Sequence, residues 1–381
     1  MSKSLYHRIL NEIELAPRGY AEELAKIAGY ASGSALKKPL RKDGDFDKFS
    51  GLIHLVNTLW KDEAVTIMVK YSSEVNTNKK SARYLLEYLS VNKQYEALHN
   101  LIERMSDTPN IESKAWAKVY KLAYQYHLAK TEEDYTNLLM ELSFLNVTVT
   151  ELKVFKLILQ NYCFNQKSDF VMTDLLVKEI QRDIEVIEKD YIKEMYWIRT
   201  KEVLSYNLLR VRNNPEAARE CADYIIESNA PEGFKAYAYF IKGYSYKFTS
   251  YENSHKYLTI SMDMYKKLNR DFEVDDLKEK IEFLDVYWNR TQTENFRYVN
   301  NYLLYHIMKG KDLTKVLIEA KNKINPAFHA FLQGINSNDE KKLIISTIKY
   351  VKRGDNFLAN LPRIELLKRE YDDEILEELI G

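Results

Sequence analysis

A short basic segment carries the residues whose chemistry is easiest to name. It holds four cations within six positions and two serines just before them: Ser32, Ser34, Lys37, Lys38, Arg41 and Lys42. Cations at this density suit the phosphates of a nucleic acid, and small polar side chains at the start of a helix can face base edges in the major groove. The segment therefore predicts a helix over residues 34–42 that reads double-stranded DNA through these six residues.

Two earlier helices would have to hold this segment in place. The apolar residues of 4–15 fall on one helical face, and a second helix over 20–28 ends at Gly29. Ala25, four residues before Gly29, is small enough for two helices to approach, and a glycine accepts the positive φ of the turn between them. The pattern is typical of a helix-turn-helix.

Two points leave alternatives open in this segment. Pro39 lies inside the third helix, where proline removes a hydrogen bond, so the helix is either kinked or short, with a new turn at Pro39. The alternative for the whole segment is an N-terminal helical cap with a solvated basic edge. Because 56 Lys and Arg balance 56 Asp and Glu, any contact with DNA must come from this local patch and not from the net charge.

A long stretch without glycine follows the basic segment. No glycine occurs from Leu52 to Glu232, and Leu, Lys, Glu and Tyr are abundant there, which favours stacked helices. Three segments have the spacing of the close-packed positions in tetratricopeptide repeats: Ser205–Ala217, Gly243–His255 and Gly334–Ser346. The predicted fold is all-α, with a helix-turn-helix followed by a right-handed α-solenoid of degenerate tetratricopeptide-like repeats.

The end of the chain forms a separate predicted element. It carries an apolar stripe: Ile364, Leu367, Tyr371, Ile375 and Leu379. A terminal repeat that only capped the array would have a polar outer face, so we expect a dimerisation surface here. The alternative is a final helix folded back on its own array. The predicted domains are therefore a head over 1–58, a repeat body over 59–362, and a capping or dimerisation helix over 363–381.

The sequence contains no catalytic or metal-binding pattern. Its seven histidines are scattered without metal-ligand spacing, and phosphate-binding, zinc-protease and nucleophile-elbow motifs are absent. Cys163 and Cys221 lie far apart, so two buried reduced thiols are expected. These features predict no enzyme, no cofactor and no metal. Without a signal segment or an apolar run of membrane-spanning length, they also predict a cytoplasmic protein that contacts no membrane.

Several segments along the chain carry a family pattern: AEELAKIAGY, the Asp43-Gly44 pair, FDKFSGLIHLV, SARYLLEY, the Ser205-Tyr206-Asn207 segment, FKAYAYFIKGYSY and GDNFLANLPRIELLKREY. Taken in this order, they resemble the phage arbitrium-peptide receptors, the AimR family. The resemblance implies a phage- or prophage-encoded transcription regulator. Such a regulator binds operator DNA as a homodimer and is controlled by a secreted hexapeptide that governs the choice between lysis and lysogeny.

The resemblance also implies a set of peptide-binding residues. Arg83 in the R-x-x-LEY stretch and Asn207 match family positions in or near the peptide groove, and Asp355 and Phe357 match the family's late D-x-F segment. Tyr244 stands where some relatives carry asparagine. Apart from the resemblance, the polar residues of the repeat body that could line a groove are Asn207, Arg210, Asn301, Asn325 and Asp355. The full candidate set for the peptide site is Arg83, Asn207, Arg210, Tyr244, Asn325, Phe328, Asp355 and Phe357.

A mechanism follows from these expectations. Two heads joined by a C-terminal contact would read two half-sites, at a separation that depends on the curvature of the repeat bodies. Arg83 and Asn207 would hold the carboxylate and backbone of the peptide, Asp355 would pair with a peptide cation, and binding would select one curvature. The alternative is a peptide-controlled protein-binding module without DNA binding, like the related response-regulator phosphatases and sequestering proteins, whose head contacts a protein.

Overall fold

The computed structural model describes residues 4–42, 44–291 and 294–371. Within those ranges every regular element is helical, with 21 α-helices and one short 3-10 helix. The predicted all-α class is therefore confirmed. The chain divides into two compact units, Met1–Thr200 and Lys201–Gly381.

The first unit begins with the predicted head. Its elements are α1 (Leu5–Leu15), α2 (Tyr20–Ile27), α3 (Gly33–Lys42), α4 (Phe49–Leu59), a 3-10 turn (Lys61–Glu63), α5 (Ala64–Glu74), α6 (Lys80–Val91), α7 (Tyr95–Ser106), α8 (Ile111–Leu128), α9 (Glu132–Phe144), α10 (Thr150–Gln166), α11 (Phe170–Ile184) and the beginning of α12 (Tyr191–Arg210). The predicted head boundary after residue 58 falls at the end of α4.

The second unit contains the end of α12 and nine further helices in the described part of the chain. They are α13 (Pro215–Glu227), α14 (Glu232–Ser245), α15 (Tyr251–Lys267), α16 (Asp271–Tyr287), α17 (Val299–Met308), α18 (Thr314–Ala320), α19 (Pro326–Asn336), α20 (Glu340–Val351) and α21 (Asn356–Leu367). The predicted C-terminal element begins at residue 363, which lies inside α21.

The turn between α2 and α3 has the predicted chemistry. Ala25 is fully buried, and Gly29 has a φ of 76°, a left-handed conformation that favours glycine. The α3 helix continues across Pro39 to Lys42, so the alternative in which a new turn begins at Pro39 is wrong. The nitrogen of Pro39 cannot donate the hydrogen bond that a residue at this position of the helix would otherwise make.

Glycines set the close approach of two helical hairpins in the second unit. A Cβ atom at Gly243 in α14 would lie 2.7 Å from the backbone nitrogen of Leu258 in α15. A Cβ atom at Gly334 in α19 would lie 2.6 Å from the Cδ2 of Leu343 in α20. Both glycines therefore have the predicted close-packing role, but their close partners are Leu258 and Leu343 and not the predicted His255 and Ser346. Because glycine has no side chain, the opposite helix can approach at that point, which lies about one turn further along α15, and about one turn earlier along α20, than the repeat spacing placed it.

Candidate functional site

The basic helix α3 is anchored at its first turn. The hydroxyl of Ser32 accepts a hydrogen bond from the Ala35 N–H at 3.2 Å, and the Gly33 N–H donates to the Glu22 carboxylate of α2 at 2.8 Å. These contacts satisfy N–H groups that a helix start leaves without a partner. They also fix the beginning of α3 against α2.

The predicted DNA-binding side chains lie together on this helix. Ser34, Lys38, Arg41 and Lys42 are exposed, whereas Lys37 is half-buried. The Arg41 guanidinium lies 4.0 Å from a carboxylate oxygen of Glu14, and both side chains are mostly exposed, so this pair contributes little. The surface of α3 is thus a compact patch of cations open to solvent.

Two aspartates tie the head to later helices of the first unit. The Asp190 carboxylate accepts from the Phe49 N–H at 3.1 Å and the Ser50 N–H at 3.0 Å, at the start of α4. In the opposite direction, the Asp45 carboxylate accepts from the backbone N–H groups of Lys80 and Ser81 at 3.0 and 3.1 Å, at the start of α6. Carboxylates at helix N-termini are stabilised by the orphan N–H groups and by the helix dipole. We call these two contacts the head ties.

A cavity of about 310 Å³ lies in the second unit, a volume at the lower end of ligand-binding pockets. Its lining residues come from α12, α14 and its following turn, α16, α17, α19, α20 and α21: Arg210, Tyr244, Lys247, Glu279, Lys280, Phe283, Asn300, Asn301, Asn325, Phe328, Tyr350, Leu358 and Leu361. Four of the predicted peptide-binding residues are among them: Arg210, Tyr244, Asn325 and Phe328. The cavity therefore combines aromatic walls with several polar groups.

An ion pair joins the two ends of the second unit beside the cavity. The Arg210 Nε donates to Asp355 Oδ1 at 2.9 Å, and a second guanidinium nitrogen contacts the other carboxylate oxygen. Asp355 is 7% exposed and also accepts from the Leu358 N–H at 3.1 Å, which caps α21. Burial opposes the charge of Arg210, but the nearby Tyr244 and Asp355 raise its pKa well above the ordinary value. The Asp355 carboxylate, expected to pair with a ligand cation, thus has a partner within the chain.

Further polar contacts join the start of α21 to the end of α12, a contact that we call the seam. The Asn356 side chain donates to the Val211 backbone carbonyl at 2.8 Å, and the Asn360 side-chain nitrogen donates to the side-chain oxygen Oδ1 of Asn213, also at 2.8 Å. Together with the Arg210 ion pair they hold the start of α21 against the end of α12. Phe357 is 3% exposed and its ring centroid lies 5.6 Å from that of Tyr244, so it supports the cavity wall from behind.

Other predicted site residues have local roles. Arg83 lies in the first unit, on α6, where its guanidinium is 3.2 Å from the Glu112 carboxylate. Asn207 is 1% exposed on α12, and it is not one of the cavity-lining residues. Asn325 caps α19 by accepting from the Ala327 N–H at 2.9 Å. The assignment of these three residues to a ligand stays a prediction.

One cavity-lining residue, the buried Lys247, was not predicted from the sequence. Lys247 lies in the turn after α14 and is 7% exposed, although lysine is rarely buried without a partner. Burial, then the nearby cations Lys280 and Arg210, lower its pKa to about 7. The residues next to Lys247 in the sequence did not indicate its burial, because Phe283 and Lys280 of α16 and Arg210 of α12, which contribute to its environment, lie far from it in the chain.

The predicted dimerisation residues are only partly within the described chain. Ile364 is half-buried and Leu367 is 37% exposed, while Tyr371 packs on the apolar core of the second unit. The helix ends at Leu367, and Glu370 has a φ of 61°, so Tyr371 does not continue the helical face of Ile364. Ile375 and Leu379 lie outside the described residues.

The described ranges hold no metal-binding cluster and no membrane-spanning helix. No group of three or more His, Cys, Asp or Glu is placed there to hold a metal ion, and no helix described is both long and apolar enough to cross a bilayer. Cys163 and Cys221 are buried and free, as predicted. Burial raises the pKa of the Cys163 thiol to about 12, which keeps the thiol protonated and unreactive at neutral pH.

The fold and its two candidate sites define a class: an all-helical repeat protein with an exposed basic helix in its first unit and a ligand-sized cavity in its second. A family model described as AimR transcriptional regulator-like matches residues 64–368. The chain therefore belongs to the AimR family, as its segments had suggested.

Individual relatives agree with this assignment. The AimR transcriptional regulator of Bacillus phage SPbeta is 27% identical, over 93% of this chain and 94% of that protein. The solved structure of selenomethionine phAimR matches 99% of this chain and 100% of its own chain, with a TM-score of 0.77 and 23% identity. A structure of phAimR with its ligand matches 85% of this chain and 98% of its own, with a TM-score of 0.68 and 20% identity. At these identities the two structures establish the fold.

Proposed function

We propose that this chain is a phage transcription regulator that binds operator DNA as a dimer through α3, and that a short peptide in the cavity of the second unit controls this binding. Family membership supports transcription regulation. The observation that carries the DNA contact is the patch of exposed cations on α3, held at its first turn by the Ser32 cap and the Glu22 contact. Binding to DNA would place the protein inside the bacterial host.

The DNA contact is tested by the combined change Lys37→Ala and Arg41→Ala. The probe is a duplex selected from random sequences with the wild-type protein. Each lost phosphate contact lowers the slope of log affinity against log salt by about 0.9, so we expect the slope to fall by about 2 and the affinity to fall at least tenfold. The matched control is Lys315→Ala with Lys321→Ala, which removes the same charge from exposed positions of the second unit.

Three outcomes separate the possible functions. Loss of slope in the head variant alone supports a DNA contact through α3. Equal losses in both variants would indicate attraction by net charge and contradict a specific role of α3. If the wild-type protein selects no duplex, the regulator proposal fails and the protein-binding module becomes the better interpretation.

A peptide suits the cavity because its lining has groups that can bond a backbone. Asn301 is 1% exposed, and its side-chain nitrogen donates to the Glu279 carbonyl at 3.1 Å. Its side-chain oxygen is buried and accepts no hydrogen bond from any described residue. A buried acceptor without a donor is costly, and a peptide N–H from a ligand would satisfy it. The ligand-bound phAimR structure shows that a relative with this fold takes a ligand.

The peptide site is tested with a hexapeptide selected from a synthetic library by affinity for the wild-type protein. Asp355→Asn weakens the Arg210 ion pair beside the cavity, so we expect calorimetric affinity to fall by about tenfold or more, the effect of disturbing a charge-assisted hydrogen bond. Asp339→Asn is the matched control, because Asp339 caps α20 from the same position in its helix and has no arginine partner in the described structure. Unchanged affinity in both Asp355→Asn and Asn207→Ala would contradict the site.

Dimerisation is tested at the exposed end of α21. Leu367→Glu should shift the sedimentation of the protein toward the monomer, because a charge in an apolar interface is costly. Ile318→Glu on α18 is the control, since Ile318 is a more exposed apolar residue of the same unit, at 64%. A dimer that persists in Leu367→Glu would show that this end of α21 is not the dimer contact.

A further inference from the structure

Lys247 is a buried cation that faces the cavity without an anionic partner. Its ammonium group has no hydrogen bond or ion pair with any residue that the structure describes. Its contacts are with rings: the nitrogen lies 3.7 Å from the ring centroid of Phe283 and 4.9 Å from that of Tyr244. Cation–π contacts stabilise such a group only to a limited extent, which is much less than the cost of burying an unpaired ammonium.

The other cations of the cavity are already paired. Arg210 forms its bidentate contact with Asp355, and the Lys280 ammonium contacts the Asp276 carboxylate one turn away on α16. Of the lining residues, Lys247 is thus the cation whose charge no described carboxylate contacts directly.

The remaining acid of the cavity is also engaged. A carboxylate oxygen of Glu279 accepts from the Asn300 side chain at 3.3 Å. Glu279 and Asp355 act on Lys247 only at longer range and raise its pKa less than burial and the neighbouring cations lower it. The Lys247 ammonium, which lies near the ring of Phe283, therefore lacks a negatively charged partner in the cavity.

We propose that Lys247 binds a carboxylate of the ligand, so that this cavity selects a peptide that presents a carboxylate against the Phe283 and Tyr244 rings. The inference rests on the proposed peptide-receptor function and names the chemistry that this receptor reads. The carboxylate is either the C-terminus of the peptide or an acidic side chain. Lys247 is a specificity-determining residue, because a neutral ligand of the same shape leaves its ammonium buried without a partner.

The same contact makes binding depend on pH. A bound carboxylate favours the charged ammonium and raises the pKa of Lys247 from about 7. Above that pH the free protein must take up a proton on binding, so affinity falls as pH rises, by up to about tenfold per unit. The charged and titratable groups that face Lys247 are Arg210, Lys280, Glu279, Asp355 and the Tyr244 hydroxyl.

The experiment uses the full chain and the hexapeptide selected from the synthetic library. Calorimetry compares the free-acid peptide with its C-terminal amide, and with versions in which each Asp or Glu is replaced by Asn or Gln. We expect the wild-type protein to lose at least tenfold in affinity for one of these neutral forms. The amide identifies the C-terminus as the carboxylate, whereas an Asn or Gln form identifies a side chain.

Two variants decide whether Lys247 is responsible. Lys247→Met should bind the acid and neutral forms equally and lose the pH dependence above 7, whereas Lys247→Arg should keep the preference for the acid. Lys280→Met is the matched control, because Lys280 lines the same cavity but is paired with Asp276, so the preference should remain. Thermal unfolding of Lys247→Met confirms that the variant is folded.

The outcomes distinguish this inference from the function on which it rests. If a peptide binds the wild-type protein but no neutral form is weaker, or if Lys247→Met keeps the preference, the inference is wrong and the peptide-receptor proposal stands. If no library peptide binds the wild-type protein, the peptide-receptor proposal fails and the inference falls with it.

Discussion

The head ties can be tested by a change that alters charge and almost nothing else. Asp190→Asn keeps the size of a side chain that is 8% exposed, but it removes the charge and leaves one acceptor oxygen for the Phe49 and Ser50 N–H groups. A hydrogen bond to a charged group contributes about 1.5 to 3 kcal/mol, and a carboxylate at a helix N-terminus gains about 0.3 to 1 kcal/mol more. We expect the tie between Asp190 and α4 to weaken by about 2 to 4 kcal/mol.

Amide hydrogen exchange measures this loss directly. Opening of the contact becomes about tenfold more frequent for each 1.4 kcal/mol, so amides at the start of α4 should exchange roughly thirty- to several-hundred-fold faster than in the wild type. Operator affinity should fall as well, since a head that is free to move must be ordered again on binding. The effect on affinity will be smaller than the effect on exchange, because the tied form remains the major one.

Asp134→Asn supplies the control for this experiment. Asp134 also accepts two backbone N–H groups, from Lys130 at 2.9 Å and Thr131 at 2.8 Å, but it is exposed at the start of α9. Asp134→Asn should increase amide exchange at the start of α9 and leave both the amide exchange of α4 and the operator affinity unchanged. Unchanged exchange at the start of α4 in Asp190→Asn would show that the Asp190 carboxylate does not hold the head. Equal loss of operator affinity in both variants would show that the effect is general destabilisation.

Three further predictions concern stability. Glu87→Gln should destabilise the first unit by about 3 to 5 kcal/mol in urea unfolding, because it leaves the buried Arg199 guanidinium, 2.8 Å from Glu87, without a counter-charge; a loss below 1 kcal/mol would contradict this. Gly243→Ala should lower the unfolding temperature, since its Cβ would lie 2.7 Å from Leu258 N and overpacking costs about 1 to 3 kcal/mol; an unchanged midpoint would show that α15 yields freely. Lys247 has a folded pKa of about 7 against an ordinary value of 10.5, so between these values the folded chain binds fewer protons than the unfolded chain and wild-type stability rises with pH. Ligand-free Lys247→Met should lack this rise, which urea midpoints measured from pH 7 to 10 can detect.

The head was largely predictable because its signals are local. The predicted helices 4–15, 20–28 and 34–42 differ by one residue at an end from α1, α2 and α3. Side-chain caps such as Ser32 and the positive φ of Gly29 act within a few residues of the sequence that specifies them. What the local signals did not show is how the head is held, because Asp190 is 140 residues away from Ser50 in the chain.

The cavity was only partly predictable for the same reason. The sequence pointed to Arg210, Tyr244, Asn325 and Phe328, which do line it. It could not show that Arg210 and Asp355, 145 residues apart, pair with each other. A long-range pair has no periodicity or spacing by which one sequence reveals it, and the same holds for the burial of Lys247.

The pairing of Arg210 with Asp355 changes the role that a ligand cation can have in this receptor. A cationic peptide residue reaching Asp355 would have to displace a bidentate guanidinium, and the displaced Arg210 would then be a second uncompensated cation beside Lys247. A carboxylate near Phe283 has the opposite effect, because it adds the missing charge and leaves the Asp355 contact with Arg210 intact. Since that contact holds the start of α21 against the end of α12, the two kinds of ligand would act differently on the second unit. An acidic ligand would reinforce the closed seam, whereas a cationic ligand would have to open it.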